Sequence, residues 1–142
     1  MEELYELRSY IEQGRYPEAL VLLGEMDEMS YGDKVNKIGS FLEILLLHLI
    51  KQHAEQRSTR SWDVSIHNAV REIIRTNKRR KSGGYYLTQE ELQEAMQEVY
   101  ENALGIASLE AFEGRYDPTE LGKLVNEYQV TTEALKLILD AS

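Results

Sequence analysis

The sequence predicts an all-α fold: an irregular bundle of about three long and four short helices around one buried central helix. Three observations carry this. The decapeptide Phe41-Leu42-Glu43-Ile44-Leu45-Leu46-Leu47-His48-Leu49-Ile50 is the most apolar run of the chain. Around it Val35, Ile38, Leu42, Leu45 and Leu49 recur at spacings of three and four, the stripe of an amphipathic helix. Leucine outnumbers β-branched residues there, and the whole chain holds only two prolines, so little favours strand or interrupts helix. Phe41 and Ile44 begin a second stripe beside the first, and Leu46 and Ile50 widen it. One stripe makes a surface helix; two make a central one, here expected over about residues 33–56. The run is shorter than the roughly 20 residues that cross a bilayer, and it carries Glu43 and His48.

Local signals supply the other elements in order. Glu2 to Gln13 reads as a short helix stopped by Gly14. Pro17 opens a second at its first turn, running to about Met29. Ser30-Tyr31-Gly32-Asp33 is the expected break, with Ser30 or Asp33 as cap of the central helix. Ser61 is a suitable cap for a helix through Ile66, Val70 and Ile73 that frays into Lys78-Arg79-Arg80-Lys81 and the Gly83-Gly84 pair. Thr88-Gln89-Glu90-Glu91 is a capping box launching a long helix to about residue 113, closed by Gly114. Asp117-Pro118 starts another short helix, and Thr131 caps a last one. The cassettes Gly14-Arg15-Tyr16-Pro17 and Gly114-Arg115-Tyr116-Asp117-Pro118 share turn chemistry without marking a duplication. By length, 142 residues make one domain: an N-terminal hairpin (1–29), a three-helix core (33–113) and a C-terminal hairpin (117–142). The expected core comprises Leu42, Leu45, Leu49, Ile66, Ile73, Met96, Val99 and Leu104. The terminal helices would cover its flanks or a second subunit.

Charge is unevenly spread. Net charge is −9, yet residues 1–50 hold ten acidic and four basic side chains, 51–81 three and nine, and 82–142 twelve and three. An acidic protein with one basic segment is a poor general ligand of nucleic acid or anionic membrane. Cysteine is absent, which removes disulfides, thiol catalysis and thiolate metal sites, and fits a reducing cytoplasm. No secretory signal is visible at Met1-Glu2-Glu3-Leu4.

The blocks Ser40-Phe41-Leu42, Leu47-His48-Leu49-Ile50-Lys51, Arg57-Ser58-Thr59-Arg60-Ser61-Trp62 and Ser65-Ile66, with weaker matches at Tyr100-Glu101-Asn102-Ala103 and Ala107 to Glu110, resemble a bacterial family. It is largely cyanobacterial and proteobacterial, and is described as domain of unknown function family twenty-nine. The resemblance covers about residues 25–112 and implies an all-helical fold and a prokaryotic origin; it assigns no activity, because none is established for the family. The family's longer N-terminal segment is missing, and the tail from Tyr116 lies outside. Leu7 to Leu23 also looks like the middle of a tetratricopeptide repeat. A repeat needs about three copies to bury its faces, and no second copy is found, so this is read as an ordinary helical hairpin.

Candidate chemistry is sparse. His48 and His53 are five apart, too far round a helix to chelate one ion. His48 reads as a core histidine bonded to a carbonyl or to a carboxylate such as Glu43 or Glu72. His48, Lys51, Arg57, Arg60, Trp62 and His67 form a candidate polar corner, with Trp62 either anchoring the interhelix turn or walling a small pocket. Arg71, Arg75, Lys78, Arg79, Arg80 and Lys81, followed by Tyr85 and Tyr86, form a candidate basic patch. It is either a solvated helix end balanced by Glu90, Glu91, Glu94 and Glu98, or a phosphate and base contact surface. No Glu-x-x-His pair, phosphate loop or nucleophile elbow is present. Catalytic, metal and cofactor sites are therefore not expected. The expected function is a non-enzymatic module binding a protein partner or a second copy of itself, without a membrane role. The alternatives are a weak nucleic-acid binder through residues 71–86, and an enzyme of unrecognised kind at the polar corner.

Overall fold

The computed structural model describes residues 2–79 and 83–142. Among the described residues six helices follow one another: α1 (Glu2–Glu12), α2 (Tyr16–Glu55), α3 (Arg60–Asn77), α4 (Gln89–Glu110), α5 (Pro118–Leu124) and α6 (Glu127–Ala141). No strand forms among the described residues, and one antiparallel bridge joins Lys78 to Tyr85. The fold is all-α.

Four local expectations are corrected. The break over Ser30–Asp33 does not occur, because α2 runs without interruption from Tyr16 to Glu55. Serine, glycine and aspartate are weak helix formers, costing up to about 1 kcal/mol each. Ending one helix and nucleating another costs more than carrying them along. Thr59, not Ser61, caps α3, accepting from the Trp62 N–H at 3.1 Å. The chain leaves α2 through a left-handed Gln56 (φ 52°), which sets Thr59 in extended backbone and places Ser61 inside the first turn. α4 ends at Glu110, ahead of Gly114, and a 3₁₀ turn fills Ala111–Gly114. Asn126, not Thr131, caps α6; Thr131 lies within the helix and bonds the Glu127 carbonyl. The capping boxes Thr88–Glu91 and Asp117–Glu120 form as expected.

The chain divides into two compact units, Met1–Lys34 and Val35–Ser142. In the first, α1 buries no residue, and Ala19 and Leu22 on α2 are the buried apolar side chains described. In the second, Ile38, Leu42, Leu45, Leu46, Leu49 and Ile50 lose all solvent contact. They form one cluster with Ile73 of α3, Met96 of α4, Leu121 of α5, and Val130 and Ile138 of α6. At roughly 1.5–3 kcal/mol per fully buried aliphatic side chain, this cluster is what holds the unit together. Val99 and Leu104 pack against it only partly covered, and Ile44 faces outward.

Candidate functional site

The end of α2, the first turn of α3 and the end of α4 meet at the predicted polar corner, and Lys51 is its centre. Its side chain is nearly sealed, 3% exposed, and its ammonium donates to Glu110 Oε1 at 3.2 Å. The same ammonium lies 4.8 Å from the centre of the Trp62 ring, and the Arg57 guanidinium lies 5.0 Å from it. A tryptophan face attracts cations, so a single ring gathers both. Arg57 also donates to Glu55 Oε1 at 2.8 Å, while Glu55 Oε2 accepts the Phe112 N–H at 3.1 Å. Burial alone would push the Glu55 carboxyl up; the Phe112 N–H, Arg57 and Lys51 outweigh it and hold the group below its usual range.

Three non-glycine residues in the described chain have left-handed backbone, Gln56, Phe112 and Glu113, and all three border this corner. Such conformations cost on the order of 1–2 kcal/mol each. They bend the chain so that the Phe112 N–H faces Glu55, and the Phe112 ring meets Tyr116 edge-on at 5.2 Å.

The remaining predicted members are not gathered here. Arg60 is exposed at the first residue of α3. His48 is partly covered, and its Nδ1 is buried without a hydrogen-bond partner, so the expected bond to Glu43 or Glu72 is absent. Glu43 Oε1 is likewise unpartnered. Burial, then the nearby Lys51 charge, lower the His48 pKa, against a weaker opposite pull from Glu110. His67 lines a separate shallow groove with Gln52, Asp63 and Glu133. There Ser58 Oγ donates to Asp63 at 2.6 Å and Gln52 to Ser58 at 2.7 Å, a network that fastens the α2–α3 turn. His53 pairs with Glu133 of α6, a contact missed from the sequence because the two lie 80 residues apart. Among the described residues, no group of three or more His, Asp or Glu side chains could hold a metal ion.

Chemically, the corner is a clasp. Each charged group in it is answered by another of the same corner: Lys51 by Glu110 and Trp62, Glu55 by Arg57 and a backbone N–H.

The basic patch has more open space. α3 ends at Asn77, so Lys78 and Arg79 lie beyond the helix. The Asn77 side chain ties the helix end to Leu87: its amide donates to the Leu87 carbonyl at 3.1 Å and accepts the Leu87 N–H at 2.8 Å. Arg71, Arg75, Lys78 and Arg79 line a cleft of about 700 Å³ with Tyr85 and the two glycines. Arg80 and Lys81 lie outside the described residues. Among the described residues, the one ion pair of the cleft's cations is Arg75 with Glu72, at 3.7 Å. No described helix is long and apolar enough to cross a membrane.

The family model described as domain of unknown function DUF29 matches residues 18–129, a wider span than the sequence blocks mark on either side. No curated protein and no solved structure matches the chain.

Proposed function

The chain belongs to the DUF29 family, and we propose that it is a non-enzymatic protein-interaction module whose N-terminal hairpin docks a basic, apolar-faced helix. One observation carries this: no residue of α1 is fully buried, although it and the facing part of α2 are rich in large apolar side chains. Leu4, Tyr5, Ile11, Leu20, Val21 and Leu23 are all exposed. Isolated helices this short are marginal in water and owe their stability to a covered apolar face. We read this concentration of exposed apolar side chains as an interaction surface.

Charge decides the occupant. The residues up to Lys34 hold nine acidic and three basic side chains. Between α1 and α2 a groove of about 360 Å³ sets Val21, Leu22 and Pro17 among Glu6, Glu18 and Glu25. Two copies meeting here would bring like charges together at a cost of several kcal/mol. A helix with leucines on one face and lysines beside them meets both features, in the helix-in-groove mode.

The test is calorimetric titration of the full chain with a synthetic amphipathic lysine–leucine helix and with its glutamate–leucine counterpart. The basic peptide binds, more weakly as salt rises, and the acidic one does not. Leu20→Asp with Val21→Asp, both at exposed positions, abolishes binding while the melting curve is retained. Equal binding of both peptides, binding unchanged by these substitutions, or a chain that is dimeric through the hairpin would overturn the proposal.

A further inference from the structure

We propose that the second unit carries a site for a small amphipathic anion, a medium-chain fatty carboxylate. Its tail would lie between α3, α4 and α6, and its head on the basic cleft after α3. The tail chamber is a cavity of about 320 Å³ walled by Ile73, Ile74, Leu87, Leu92, Ile138 and Leu139. That is the small end of the range ligand pockets occupy, about 300–1,000 Å³. Three of its polar neighbours are already engaged within the chain. The Asn77 amide bonds the Leu87 backbone in both directions, the Thr88 hydroxyl accepts from the Glu91 N–H, and the Ser142 hydroxyl donates to the Ile138 carbonyl. The chamber therefore offers apolar surface, with the buried Ile73, Leu92 and Ile138 at its floor.

Ile74 and Tyr85 belong to the walls of both this chamber and the basic cleft, so the two cavities share one partition. Tyr85 is 58% exposed, and an exposed side chain changes rotamer on the picosecond-to-nanosecond scale. Across the partition stand Arg71, Arg75, Lys78 and Arg79, answered among the described carboxylates by Glu72 alone. Arginine and lysine so placed bind a carboxylate through charge-assisted hydrogen bonds. A polyanion fits less well. It needs an open basic track, whereas this cleft abuts an apolar chamber in a chain of net charge −9. A monoanion with a tail uses both halves.

The test is calorimetry on the full chain with decanoate below its micelle concentration, alongside decanol, acetate and mixed-sequence DNA. Decanoate binds; decanol, which keeps the tail and loses the charge, binds roughly tenfold more weakly; acetate, which keeps the charge and loses the tail, gives no measurable heat. The double substitution Arg75→Gln, Lys78→Gln brings decanoate down to the level of decanol and leaves decanol unchanged. Leu139→Asp at the exposed chamber wall weakens both. Thermal melts establish that each variant is folded. Absence of decanoate binding, equal affinity for decanoate and decanol, or indifference to the double substitution overturns the site. DNA binding without decanoate binding overturns it too and assigns the cations to nucleic acid.

Discussion

At the scale of single residues, Lys51 and His48 make opposite demands on the interior. Lys51 brings a charge into cover and finds Glu110 and the Trp62 face waiting for it. If the corner is a clasp, Lys51→Met, which keeps the stem and leaves the half-exposed Glu110 to water, lowers stability by only about 1 kcal/mol. Lys51→Glu buries a second carboxylate against Glu110 and costs about 3–5 kcal/mol, the range for an uncompensated buried charge. Urea denaturation of both variants checks the pair, and equal losses would refute the clasp. His48 brings a nitrogen that bonds to nothing. Its pKa in the folded protein lies below the ordinary 6.5, so the unfolded chain binds more protons as pH falls through that value. Folding stability therefore declines below about pH 6.5 by this group. His48→Leu removes that part of the decline and does not lower stability at pH 7, since no hydrogen bond is lost. Denaturation midpoints of both proteins between pH 5 and 7.5 converge with rising pH if the histidine is destabilising only when protonated. Parallel lines would refute the assignment.

At the scale of elements, what was legible was whatever the chain writes within one turn. The Thr88–Glu91 and Asp117–Glu120 capping boxes, the Gly14 stop (φ 71°) and the leucine stripe all formed where the residues said. What was not legible depended on competition between neighbouring signals. Ser30-Tyr31-Gly32-Asp33 has turn composition, but helix on both sides overrides it. Gly32 sits in that continuous helix with nothing within 4 Å of where a Cβ would stand. Gly32→Ala therefore raises the melting free energy by about 1 kcal/mol; a neutral or destabilising result would restore the break. The polar corner divides the same way. Trp62, Arg57 and Lys51 were recognisable as neighbours from sequence, being close along the chain. Glu110, the Phe112 N–H and Glu133 were not, because pairings across 57 to 80 residues leave no local trace. Arg60 and His67 were grouped with the corner by proximity in sequence, and the turn of α3 carries them elsewhere.

At the scale of the whole molecule, the two units differ in how their apolar residues are treated. From Val35 onward a leucine-rich cluster (Leu42, Leu45, Leu46, Leu49) is enclosed; in the residues up to Lys34, Leu4, Leu20 and Leu23 face outward in an acidic segment. A helix without buried residues opens readily, and its amides exchange close to the rate set by local unfolding. A bound helix stabilises it by mass action. The most direct measurement is amide hydrogen exchange over Glu2–Glu12, in the free chain and with the lysine–leucine helix at about ten times its dissociation constant. Docking at the hairpin requires fast exchange in the free chain and slowing by roughly tenfold in the complex, lost in the Leu20→Asp, Val21→Asp variant. Exchange in α1 that is already slow, or is unchanged while the peptide is bound, would contradict it.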